Sequence, residues 1–133
     1  MAQDVVVKES LSEGMVRSGA DLTRQLDEAG WPVTASLWLY DPDSNQWRLL
    51  LASPTVGTGG PRKAYAAIQD VLSAASGDAA ALALDDVGVL PDDDSLVQLL
   101  RAAMATGPGI AGTRFNRNVI NGRFIEDAYI YRV

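Results

Sequence analysis

One stretch whose residues could hold a ligand is Thr55-Val56-Gly57-Thr58-Gly59-Gly60-Pro61-Arg62-Lys63. A glycine-rich turn that feeds a helix start offers backbone amides to an anion, and two following bases add positive charge. Thr58, Gly59, Gly60, Arg62 and Lys63 are therefore the candidate phosphate-binding residues. Their spacing matches neither the P-loop nor the dinucleotide fingerprint, and Pro61 removes one amide that a phosphate would use. The same residues also make an ordinary strand-to-helix connection, with Pro at the first helical position.

Two acidic stretches bear on metal chemistry. Asp41-Pro42-Asp43-Ser44-Asn45 resembles the opening of an EF-hand calcium loop, but Gln46 stands where that loop needs Gly and Ala52 where it needs the bidentate Glu. Asp, Pro, Ser and Asn are also the common turn formers, so a hairpin turn accounts for them without a metal. Asp85, Asp86, Asp92, Asp93 and Asp94 are grouped closely enough in sequence to suggest Mg²⁺ for phosphoryl transfer. Acids just before a helix also stabilise its dipole, by about 0.3–1 kcal/mol each, which explains the last three with no ion present. The sequence assigns no metal ligands and no cofactor.

The C-terminal segment is the most informative. Asn121-Gly122 is the strongest short-range hairpin signal, and a two-residue turn there sets the register. Ile120 then faces Arg123, Val119 faces Phe124, Asn118 faces Ile125, Arg117 faces Glu126, Asn116 faces Asp127 and Arg114 faces Tyr129. Alternation gathers Thr113, Phe115, Val119, Phe124, Ala128 and Ile130 on one side, with Arg117 and Glu126 as an opposed pair. The other side holds Arg114, Asn116, Asn118, Asp127, Tyr129 and Tyr131, with Ile120 and Ile125 near the tip. Tyr and Arg are enriched where partners bind, which makes those six residues the candidate interface.

Composition limits the chemistry further. The chain has 133 residues, no Cys and no His, so thiolate catalysis, disulfides, nucleophile–His pairs and ordinary zinc sites are excluded. That length suits one domain, residues 1–133, and 47% hydrophobic against 21% charged residues is a globular balance. No window approaches the 18 or so apolar residues of a membrane span, and the start lacks the basic and apolar regions of a signal peptide, so a cytoplasmic location is expected. The net charge of −6 argues against nucleic acid as a partner. It is unevenly spread: residues 64–100 carry seven acids and no base, whereas residues 101–133 carry five bases and two acids.

The elements that must position these residues follow from periodicity. A capping box at Ser10-Leu11-Ser12-Glu13 opens a helix over 11–29, stopped by Gly30 and Pro32. Val5 to Val7 before it fit no single element. Strands are expected over Val33–Tyr40 and Trp47–Ala52, a second helix from Pro61 to about Ser76, and a third strand around Ala81–Leu84 or Val87–Leu90. A second capping box, Ser95 to Gln98, opens a helix ended by Gly107-Pro108, and strands 110–120 and 123–133 flank the final turn. The expected fold is α+β, in the order α-ββ-α-β-α-ββ, with a mixed five-stranded sheet.

At this coarse level the element order resembles a restriction-nuclease-like fold. The residues do not carry the likeness: Gln46-Trp47-Arg48 has Arg where such enzymes place Lys, and only Asp41 or Asp43 is available as the partner acid. The favoured function is therefore non-enzymatic, a protein-interaction or assembly module that binds another protein or itself as a homo-oligomer. The alternative is a phosphate-ligand binder or a Mg²⁺-dependent, nuclease-like phosphoryl-transfer enzyme.

Overall fold

The computed structural model describes residues 8–104 and 106–133, so the ambiguous Val5 to Val7 lie outside the described residues. Helix α1 (Glu13–Glu28) starts at Ser12, whose hydroxyl accepts from the Met15 amide at 3.1 Å. The cap is thus two residues later than the box at Ser10 suggests. At the other end Gly30 takes φ +80°, its amide donates to Asp27 O, and the Trp31 amide donates to Leu26 O. This is the Schellman stop that only a residue tolerant of positive φ closes cheaply.

Strands β1 (Ala35–Asp41) and β2 (Gln46–Ser53) pair antiparallel around the acidic turn. The Asp41 carboxylate there accepts from the Asp43 amide and the Ser44 hydroxyl, an internal Asx turn that leaves its oxygens occupied. The glycine stretch departs from expectation, since Pro54–Gly59 forms a short helix, α2, before α3 (Pro61–Ala74). Pro54 and the Ser53 cap start it, and Gly60 at φ +83° ends it, so the glycines terminate a helix and do not form an open loop. Two 3₁₀ turns (Gly77–Ala81 and Leu84–Asp86) follow. They occupy the earlier of the two positions expected for the third strand, and β3 is Val87–Pro91.

Helix α4 (Ser95–Ala103) is capped by Asp94, whose carboxylate accepts from the Leu96 amide at 2.9 Å. Strands β4 (Thr113–Ile120) and β5 (Arg123–Arg132) then close the chain. The sheet order is β3-β2-β1-β5-β4, with only β2 and β3 parallel. The fold is α+β with a mixed five-stranded sheet and a C-terminal hairpin. No helix among the described residues is long and apolar enough to cross a membrane.

The two faces of the sheet are covered unequally. Leu22 and Leu26 of α1 and Ile68 of α3 pack on Trp38, Tyr40, Trp47, Leu49, Leu51, Val87 and Tyr131. On the other face the smaller α4 sets Leu96, Val97 and Leu100 against Ala35, Leu37, Ala52, Ala128 and Ile130.

A bulge locks α1 in place. Leu37 pairs with Ile130 but Ser36 pairs with Arg132, so Tyr131 is the extra residue and both it and Arg132 reach α1. Tyr131 Oη donates to Val16 O at 2.6 Å and accepts from Trp38 Nε1 at 3.0 Å. Burial pushes the Tyr131 hydroxyl well above its ordinary pKa, so it remains a donor at any working pH. Arg132 bonds both Asp27 carboxylate oxygens, at 3.0 and 2.8 Å, and Val33 O at 2.9 Å.

Gly19 is where the helix meets this cluster. A Cβ there would lie 2.5 Å from Tyr131 Oη and 2.6 Å from Trp38 Nε1, whereas at Gly14 the nearest atom is Ser12 Oγ at 3.7 Å. Helix propensity alone favours Ala at either site by about 1 kcal/mol. Urea denaturation should therefore show Gly14→Ala raising the midpoint by about 0.5–1 kcal/mol of stability, and Gly19→Ala lowering it by about 1–3 kcal/mol through overpacking.

Candidate docking surface

Half of the polar hairpin side turns out to be interior. Asp127 is 2% exposed, and its carboxylate accepts two bonds from Arg114, from Nε and Nη2 at 2.6 Å each, and one from Lys8 Nζ at 2.7 Å. Arg114 in turn lies over the Trp47 ring at 5.4 Å, and Lys8 Nζ over the Tyr40 ring at 4.7 Å. Burial alone would raise the Asp127 pKa, but the Arg114 and Lys8 bonds outweigh it and hold the carboxyl below its usual range.

The six candidate interface residues differ in exposure. Asp127 and Tyr131 are buried beneath α1 and the segment before it, and Tyr129 is half-buried, stacked edge-on against Tyr131 at 5.3 Å. Arg114, Asn116 and Asn118 remain exposed. These polar types meet the Val16 carbonyl of α1 and Lys8 of the segment before it on this face.

The register of the hairpin is the expected one, and Asn121 and Gly122 both take positive φ, at 47° and 83°, as a type I′ turn requires. Its faces are not as alternation places them. Ile125 is buried with Leu37, Leu96 and Ala128 under α4, with Ile120 packed alongside, rather than on the Asp127 side. Alternation fails at Arg117, which takes φ +45° and stands 4.0 Å from Glu126.

That kink also settles what the edge strand β4 can do. The Ile120–Arg123 pair beside the turn shares both its hydrogen bonds, so the amides of Arg117 and Val119 face outward. The Val119 amide is already donated to Asn118 Oδ1 at 2.9 Å, and Arg117 has left the strand conformation. Both features blunt the edge against addition of another strand. What the hairpin can present beyond its own sheet is therefore side chains at its tip and not a strand edge.

The tip carries them. Ile110, Val119 and Phe124 are the exposed large apolar residues of the described chain, and Val119 and Phe124, each 57% exposed, are direct cross-strand neighbours. Phe124 also lines a cleft of about 320 Å³ together with Leu39, Leu50, Leu96 and Ile125. Asp41, Arg48, Arg123 and Glu126 contribute charge of both signs to the same cleft. Such a mixture of apolar lining and few charges is usual for recognition surfaces.

The other candidates are dispersed. Thr58 Oγ1 donates to Pro54 O, the Gly60 amide donates to Val56 O, and Gly59, Arg62 and Lys63 are exposed; none of the five lines the clefts described for this chain. Of the acids, Asp94 caps α4, Asp92 bonds Arg101 at 2.8 Å, and Asp86 accepts from the Ala83 amide. Among the described residues no three acids converge on a possible ion.

Comparisons with protein-family models, curated proteins and solved structures give no match.

The Asp127 cluster makes a stability prediction whose sign follows from the lowered carboxyl. A folded-state pKa below the unfolded value stabilises the protein fully above the unfolded pKa and is lost as pH falls through the folded one. Asp127→Asn should lose about 1.5–3 kcal/mol at pH 7, the range for hydrogen bonds to charged groups. Denaturant melts from pH 7 to pH 2 should show the gap between wild type and variant closing below about pH 4. A constant gap would mean that the carboxylate charge contributes nothing.

Proposed function

We propose that this chain is an assembly module that associates with a second copy of itself through the tip of its C-terminal hairpin. The observation that carries the reading is the exposed Val119–Phe124 pair beside the apolar cleft. A cross-strand apolar pair stabilises a hairpin by only about 0.2–1 kcal/mol, so intramolecular folding gains little from keeping it in water. Contact with a partner gains much more, because an aromatic side chain set in a pocket is the usual energetic centre of an interface.

Self-association is favoured over a foreign partner by the make-up of the patch. A surface that meets its own copy must be complementary to itself, with projection beside hollow and both charge signs present. Here Phe124 and Val119 project at an end of the sheet that also carries hollows, and Asp41 and Glu126 stand with Arg48 and Arg123 around one of them. The blunted β4 edge directs the contact to side chains and so limits open-ended strand pairing.

Sedimentation equilibrium with light scattering tests this reading. Wild type should show a mass that rises with concentration to a multiple of the 14.1 kDa chain. Phe124→Asp should weaken association at least tenfold, while its own stability changes by less than about 1 kcal/mol because the side chain is exposed. A strict monomer at millimolar concentration would contradict the reading.

A further inference from the structure

Resting on that self-association, we propose that two copies join end to end about a two-fold axis, each laying its hairpin tip into an acidic groove at the opposite edge of its partner's sheet. The groove comprises two adjoining hollows of about 410 and 300 Å³ that share Met15, Trp47 and Asp86. Leu82 and Trp38 add apolar lining, and Glu9, Asp78 and Asp85 join Asp86 as acids. Part of this charge is offset, since Arg17 lies 3.8 Å from Asp78 and Arg48 lines the groove while donating to Val87 O. Among the described residues, Glu9, Asp85 and Asp86 form no ion pair.

The tip has the complementary character. Its two exposed apolar side chains are flanked by Arg117, 82% exposed and 4.0 Å from Glu126, and by Arg123, which makes no ion pair among the described residues. The match repeats at the level of the chain, where residues 64–100 hold seven acids and no base and residues 101–133 hold five bases against two acids. Attraction of this kind steers encounter and fixes register.

The topology brings the two surfaces into reach. Asp41 pairs with Gln46 and Leu49 with Val87, so β1 ends where β2 and β3 begin. Strand β5 runs antiparallel to β1, which puts the hairpin tip at that same end of the sheet. The order β3-β2-β1-β5-β4 sets the groove, built beside the starts of β2 and β3, near one edge and the tip at the other. At about 4.8 Å per strand they lie about 15–19 Å apart. A two-fold axis normal to the sheet, placed just beyond this end, therefore sets each tip opposite the partner's groove. Both contacts form together, and the assembly closes at two copies.

Charge reversal on each side, alone and combined, tests the pairing by sedimentation equilibrium. Arg117→Glu with Arg123→Glu changes only exposed tip residues; Glu9→Lys with Asp85→Lys changes groove acids whose side chains form no hydrogen bond or ion pair among the described residues, and circular dichroism checks that each variant is folded. Each pair should weaken dimerisation at least tenfold, and the four changes together should restore it to within about threefold of wild type. A wild-type dimer whose affinity ignores either pair, or is not rescued by the combination, overturns the tip-to-groove pairing and leaves self-association standing. Wild-type assemblies larger than two overturn the closed two-fold. A wild type that is monomeric throughout overturns the self-association and the pairing together.

Discussion

Helix α4 has to cover one whole face of a five-stranded sheet and is too small to do so. Its nine residues make a rod about 14 Å long and about 10 Å wide, whereas the outer strands stand about 19 Å apart. It covers Ala35, Leu37, Ala52, Ala128 and Ile130, and leaves Leu39 and Leu50 only half-buried at the cleft. The opposite face has two longer helices and the aromatic cluster around Trp38 and Tyr131. The proposed contact surface follows from that imbalance: the face that is short of helix ends in a hairpin whose tip projects past the cover.

The well-covered face explains why so many polar residues of the hairpin are unavailable to a partner. Trp38 Nε1, Tyr131 Oη, the Asp127 carboxylate and the Arg132 guanidinium all bond within the fold, and no buried side-chain polar atom among the described residues lacks a partner. A buried polar group left unpaired costs about 1–3 kcal/mol, so a face of Tyr, Arg and Asp can be as fully committed as an apolar one. Helix α1 depends on these bonds, because Gly14 and Gly19 weaken it as an isolated segment and Gly19 is needed for its closest approach.

Much of this could be read from residues in advance. The Asn121-Gly122 turn gave the hairpin register pair by pair, and with Arg114 opposite Tyr129 the Arg114–Asp127 bond is a diagonal neighbour contact. The faces were another matter, since nothing about an Arg in a polar strand announces φ +45° at Arg117, and one such residue moves Ile125 beneath α4. Helix α2 escaped the reading because Val56-Gly57-Thr58-Gly59-Gly60 has loop composition, yet Pro54 and the Ser53 cap suffice to start a turn of helix. Lys8 on Asp127, the cleft and the Trp47 groove join residues distant in sequence, so only the folded chain brings them together.

Charge separation along the chain becomes charge separation in space because the acidic residues before β3 and the basic tip share one end of the sheet. Like charge on both surfaces would oppose the proposed contact at that end, whereas opposite charge favours it. Amide hydrogen exchange at a low and a high protein concentration, micromolar and millimolar, tests the proposed contact most directly. Tip-to-groove assembly predicts added protection at the higher concentration in residues 117–124 and 84–87, with residues 54–63 unchanged. Protection that is independent of concentration, or that rises only at another surface, would contradict it.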